Sequence, residues 1–248
     1  MIGIRVAVET HGEIAQRQLQ LQENNILQKL SDKQYKCLQL FRLTTGSKDA
    51  TYEWYKDHVE ARMEGTCEWL LSHENFKKWL EQDSGPLLVS ADPGCGKSVL
   101  AKYLVDDGLP RAVTICYFFF KEQDQNTVRQ TLCALLHQLF SQKRSLIKHA
   151  MEEFEKDGPS LTNSTNSLWA ILGKAVQDPQ AGPIIIVLDA LDECEELEFE
   201  DFMRGMKNQL GPNHPHHCKL RYLLTSRPYE RITSQFMGLR ESFPHIRI

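Results

Sequence analysis

Residues 87–98 read Leu-Leu-Val-Ser-Ala-Asp-Pro-Gly-Cys-Gly-Lys-Ser, and Val99-Leu100-Ala101-Lys102-Tyr103-Leu104 follows with helical spacing. An apolar strand, a tight turn and a helix in that order point several backbone N–H groups into one concave space. Those donors, with the positive end of the helix dipole, hold polyphosphate. Gly94 and Gly96 keep side chains out of that space and allow backbone angles other residues avoid. Pro93 fixes one dihedral of the turn. Lys97 reaches the β- and γ-phosphates as a point charge, and the Ser98 hydroxyl suits Mg²⁺. Asp92, Pro93, Gly94, Cys95, Gly96, Lys97, Ser98 and Val99 are therefore the expected nucleotide contacts. The pattern G-x-x-x-x-G-K-[ST] is met except at its first place, where Ala91 stands. That place closes the strand in extended geometry, so the loop is expected to survive the change.

A second strand supplies the partner chemistry. Ile184-Ile185-Ile186-Val187-Leu188 is an unbroken apolar run, as a strand buried on both faces requires. It ends in Asp189-Ala190-Leu191-Asp192-Glu193. Asp189 stands where the Mg²⁺-side carboxylate of a phosphate-loop protein belongs. Asp192 and Glu193 lie just beyond, either to polarise an attacking water or as solvated turn residues. A third run, Leu220 to Thr225, ends in Ser226-Arg227-Pro228. Arg227 then falls at the carboxyl edge of the sheet, where open α/β sheets bind ligands, and its guanidinium matches phosphate geometry. A capping or salt-bridge role is the alternative.

The 248 residues suffice for one large α/β domain with a helical attachment. Charged residues make up 25% and hydrophobic ones 41%, an ordinary balance for a globular chain. A net charge of −4 supplies no basic field, which argues against nucleic acid as the main partner. No apolar run is long enough to span a bilayer, and the first residues turn acidic too soon for a signal peptide, so a cytoplasmic chain is expected. The seven cysteines are scattered without a C-x-x-C pair and read as reduced thiols. His214, His216, His217 and Cys218 invite a metal reading, but Pro212 and Pro215 mark a loop and no second ligand pair stands at usable spacing.

Outward from the motifs, residues 13 to 43 carry Leu19, Ile26, Leu27, Leu30 and Leu38 near one helical stripe, with a break expected near Ser31-Asp32. That helix either packs on the domain or joins another module. Thr44 to Ser47 reads as a loop, and residues 49 to 82 as helix with Trp54, Tyr55, Trp69, Phe76 and Trp79 as anchors. Downstream, Val113 to Phe120 reads as a strand, 127 to 141 as an amphipathic helix, and Leu168 to Leu172 as the start of another. A helix from Phe199 to Leu210 and a last strand opening at Ile246 complete the alternation. Such alternation predicts a mostly parallel sheet covered on both faces.

Together the three motifs resemble the NACHT group of STAND nucleotide-binding switches, the NTPase module of NOD-like receptors. Asp189-Ala190 with the acidic pair Asp192-Glu193 is similar to the NACHT form of the Mg²⁺ strand, and Thr225-Ser226-Arg227-Pro228 resembles its sensor segment. Gly65-Thr66-Cys67-Glu68-Trp69 resembles the G-T-C-x-W element of fungal members, and Leu38 to Thr45 resembles the linker before it. The resemblance implies a five-stranded P-loop sheet of ASCE type, with the sensor strand between the phosphate-loop strand and the Mg²⁺ strand. It implies residues 1–46 as a helical extension and 47–248 as the nucleotide-binding module, without the winged-helix segment of relatives. By position, Lys97 takes the phosphate, Ser98 and Asp189 the Mg²⁺, Glu193 the water, Arg227 the sensing, and Gly65 and Thr66 lie near the base.

The resemblance further implies a slow ATP or GTP switch that rests with diphosphate and assembles with triphosphate. Fungal relatives act in heterokaryon incompatibility, regulated cell death and immune-type recognition, so self-association or other receptor domains are expected partners. Two rival readings stay open. An AAA+-like turnover machine would need an arginine presented across an interface, with Arg129, Arg144 and Arg231 as candidates. An interaction scaffold with a decayed site is opposed by intact Lys97, Ser98 and Asp189.

Overall fold

The computed structural model describes residues 31–43, 50–210, 219–237 and 244–248. Five strands, β1 (Gly85–Ser90), β2 (Thr114–Phe119), β3 (Ile184–Asp189), β4 (Leu220–Ser226) and β5 (His245–Arg247), form one sheet in the order β2-β3-β4-β1-β5. Every pairing is parallel, with Leu88 opposite Leu224 and Ile186 opposite Tyr222. Strand β4 thus lies between β1 and β3, the order that the resemblance implies.

Side chains alternate across each strand, so one run of sequence feeds two cores. Leu88, Phe118, Ile186, Leu188, Tyr222 and Leu224 face one core, and Leu87, Val89, Phe119, Ile185, Val187 and Leu223 the other. The first core is closed by helices α6 (Val128–Gln142), α8 (Thr165–Val176), α9 (Glu196–Gln209) and α10 (Glu230–Met237). The second is closed by α3 (Trp69–Ser72), α4 (Glu74–Glu81) and α5 (Lys97–Tyr103), which runs on into a π turn at Leu104–Gly108. Fully burying a leucine or phenylalanine is worth about 1.5–3 kcal/mol, so these two layers carry most of the stability. Trp79, itself buried, donates its indole N–H to the Gly85 carbonyl at 3.1 Å and pins α4 to the start of β1.

Helix α6 begins with a capping box. Thr127 accepts the Gln130 N–H at 3.2 Å, and the Gln130 side chain accepts the Thr127 N–H at 3.0 Å. At its other end, glutamines reach the outer edge of β2. The Gln138 amide accepts the Tyr117 N–H at 2.9 Å and donates to the Tyr117 carbonyl at 2.7 Å, while Gln142 donates to the Ile115 carbonyl at 2.8 Å.

One expectation changes. The helix anticipated over 49–82 is three short ones, α2 (Tyr52–Asp57), α3 and α4, because Gly65 (φ 76°) and Cys67 (φ 71°) are left-handed and no continuous helix passes through them. Among the described residues helix α1 covers 31–40, so the expected break near Ser31-Asp32 falls at their edge. Cys37 and Phe41 are fully buried in the first core, with Phe41 edge-on to Phe140 at 5.7 Å, so this segment packs on the domain. Residues 13–30, Thr44 to Ser47 and the cluster His214 to Cys218 lie outside the described residues.

Candidate functional site

The phosphate loop leaves β1 at Ala91, whose N–H donates to the Ser226 carbonyl at 3.2 Å. Ala91 is fully buried, so a small residue fits where the motif usually has glycine. Gly94 (φ 81°) and Gly96 (φ 71°) are left-handed, and a Cβ on either would meet nothing within 4 Å. A side chain there would therefore be strained by the backbone angle even though the space around it is open. Asp92, Pro93, Gly94, Cys95 and Gly96 are exposed, whereas Lys97, Ser98 and Val99 are half-buried. The Lys97 ammonium donates to the carbonyls of Ala91 (2.9 Å) and Asp92 (3.0 Å), folding back over its own loop.

Across the cradle, Asp189 ends β3 at 2% exposure. The Thr225 hydroxyl donates to its Oδ1 at 2.5 Å and accepts the Ala190 N–H at 3.0 Å, and Ser98 lines the same cleft as this carboxylate. Burial pushes the Asp189 carboxyl up to about 6, the two hydroxyls pull it back, and Glu193 and Asp192 push it further up. Thr225, fully buried at the end of an apolar strand, was named in the sequence only within the segment before Arg227 and given no role of its own. A hydroxyl at an interior strand position was the available signal, since a buried polar group needs a partner.

Ala190 is itself left-handed (φ 55°), which favours a small residue and throws the chain into a 3-10 turn, Leu191–Glu193. That turn sends the acidic pair two ways. Glu193 joins Ser98 and Asp189 in one cleft of about 420 Å³, roofed by Trp54 and His58, whose rings stack at 3.8 Å. Asp192 instead accepts the Arg227 N–H at 3.0 Å and lies 3.3 Å from the Arg227 Nε, while its backbone carbonyl accepts from Arg231 at 2.8 Å. Arg227 also donates to the Tyr229 hydroxyl at 3.1 Å, and these residues line a second cleft of about 570 Å³. Asp192 and Arg227 are thus brought together, but not into the cleft that holds Asp189.

Gly65 and Thr66 sit in an exposed turn held to α5. The Arg62 guanidinium donates to the Thr66 carbonyl at 3.0 Å and covers the Tyr103 ring at 4.3 Å. Among the arginines weighed for presentation to a second molecule, Arg129 donates to the Thr162 carbonyl at 2.8 Å and Arg231 is held as above.

The donor set fits Mg²⁺. A buried carboxylate costly to ionise alone and the Ser98 hydroxyl in the same cleft are hard oxygen ligands that a divalent cation would satisfy.

An all-parallel sheet with a glycine loop after one strand and a carboxylate ending another, a third strand between them, is a P-loop nucleotide-binding module. The chain belongs to the family described as Nephrocystin 3, N-terminal, whose model matches residues 65–227. A curated relative, the vegetative incompatibility protein HET-E-1 of Podospora anserina, is 29% identical over 172 residues, 64% of this chain and 12% of that protein. The chain therefore spans about an eighth of that relative's length. Both matches bear out the resemblance to NACHT modules. Among solved structures, a DNA replication initiation factor aligns at 14% identity and TM-score 0.39, covering 78% of this chain and 48% of that one. PCH-2 of C. elegans aligns at 11% and 0.36, covering 73% and 39%. Scores at that level say nothing of shared activity. Among the described residues no helix is long and apolar enough to cross a membrane.

Proposed function

We propose that this chain is the nucleotide-driven switch of a larger cytoplasmic receptor, binding ATP or GTP with Mg²⁺ and hydrolysing it slowly. The observation that carries this reading is that Ser98, Asp189 and Glu193 line one cleft beside the open glycine loop. The loop amides and the N-terminus of α5 take the phosphates, and Lys97 leaves its two carbonyls to pair with them. Ser98 and Asp189 would hold Mg²⁺, which when bound supplies positive charge to the phosphate oxygens. Glu193 orients water and accepts its proton, Asp192 serves as the tether of Arg227, and Arg227 senses the phosphate end only after release from that tether. Gly65 and Thr66 are assigned to the base in this reading, with Arg62 tying the Thr66 carbonyl to the Tyr103 ring of α5.

The Podospora relative, a vegetative incompatibility protein, supports a place in heterokaryon incompatibility. Regulated cell death or immune-type signalling, with self-association or other receptor domains as partners, belongs to the same proposal.

Titration of the purified chain with fluorescent ATP and GTP analogues and Mg²⁺ tests the reading. Lys97→Ala should weaken triphosphate binding by roughly tenfold or more, the worth of a charge-assisted bond. Glu193→Gln should bind as the parent does and hydrolyse on the order of a hundredfold more slowly. Equal affinity of parent and Lys97→Ala would overturn the reading.

A further inference from the structure

Glu193 and Glu122 form the partition between the two clefts, lining both. The Glu193 carboxylate is held in place. Its Oε2 accepts the Glu122 N–H at 2.9 Å and lies 3.9 Å from the Lys121 ammonium, with the side chain 20% exposed. Both contacts fall on one oxygen.

The turn that makes them is well built. Lys121 and Gln125 exchange both backbone hydrogen bonds, at 2.8 and 2.9 Å. Gln125 is buried and donates its side-chain amide to the Phe119 carbonyl at 2.9 Å, and Gln123 is held left-handed at φ 61°. The Asn126 carbonyl accepts the Glu195 N–H at 2.9 Å, so the turn is also tied to the segment after β3. A carboxylate that must take a proton from water gains from having one oxygen fixed while the other meets the water.

We propose that the turn from Lys121 to Gln125 is the positioning element for Glu193, with the Glu122 N–H as the holding donor and the Lys121 ammonium as its electrostatic support. This rests on the hydrolytic reading above and adds what regulates that site: a rigid connection from the end of β2 to the end of β3. Lys121 is 62% exposed, so its ion pair alone is modest, and the backbone bond to a charged acceptor is the stronger part.

The test measures single-turnover hydrolysis, triphosphate affinity and melting temperature for Lys121→Met, Lys121→Glu and Lys121→Arg. Each is made alone and combined with Glu193→Gln. Expected are a fall in rate of about threefold for Lys121→Met and about tenfold for Lys121→Glu, with affinity within about twofold and Lys121→Arg restored. In combination with Glu193→Gln, Lys121→Met should change nothing further, because the group it supports is gone. Weaker triphosphate binding with and without Glu193→Gln would show Lys121 touching phosphate itself and overturn the proposal, as would an unchanged rate in Lys121→Glu. Parent protein that binds no nucleotide would remove the functional reading and this inference together. Parent protein that binds and turns over, with Lys121→Glu matching it, would remove only the inference.

Discussion

At Asp189 burial works against the ionised carboxylate, and the charges of Glu193 and Asp192 add to that effect. Its folded pKa, about 6, lies above the ordinary carboxylate value of 3.8, so burial favours the protonated acid. The stabilisation from that group is full below about pH 4 and is lost as pH rises toward 6. At pH 7.5 the ionised carboxylate costs the nucleotide-free protein on the order of 3 kcal/mol. Asp189→Asn should therefore melt higher than the parent at pH 7.5 without nucleotide, and level with it at pH 4. Mg²⁺ with triphosphate should raise the melting temperature of the parent and leave Asp189→Asn unmoved. A scanning-fluorimetry series over pH checks both signs. Asp189 was legible in the sequence because a strand of apolar residues ended on it. The separation of Asp192 from Glu193 was not, since neighbours in sequence diverge only through the left-handed Ala190 and the 3-10 turn that follows. A salt bridge was the alternative left open for Arg227, but its partner, 35 residues away, was not legible.

Among the elements, the strands and the long helices were readable from periodicity, and the stretch between α2 and α4 was not. Apolar anchors there fall at helical spacing, and Tyr55, Phe76 and Trp79 are indeed buried, yet Trp69 is 42% exposed. Lys102 donates to the Val59 carbonyl at 2.5 Å, and the Arg62–Tyr103 contact lies beside it, so an irregular path is fixed by α5 rather than by local propensity. Helix–helix docking elsewhere rests partly on charge. At the start of α7 (Lys148–Asp157), Lys148 and His149 both reach Asp178, at 2.8 and 2.7 Å, just beyond α8. The Lys148 ammonium, the Gln180 N–H and His149 hold the Asp178 carboxyl well below its ordinary range. A lowered carboxylate contributes stability above its unfolded value, near pH 4, and loses it as pH falls toward the folded one. Asp178→Asn should cost about 1 kcal/mol at pH 7, discounted because Lys148 is half exposed, and the gap to the parent should close below pH 4 in urea melts.

Over the whole molecule, the parallel sheet with two cores followed from alternating strands and helices, because parallel neighbours need a crossover that covers a face. The strand order needed the resemblance as well, since no local pattern says which strand lies beside which. Neither route foresaw Gln138. Its amide has the same donor and acceptor as a peptide group, and it occupies the place of a sixth strand beside Tyr117. An uncovered rim of this kind templates aggregation, because any extended chain can add to it. Gln138→Leu would keep the volume of the side chain and delete both bonds. It should soften the domain by roughly 1–3 kcal/mol and turn a monodisperse solution into one that scatters light as concentration rises. One buried glutamine thus stands guard against fibrous self-addition.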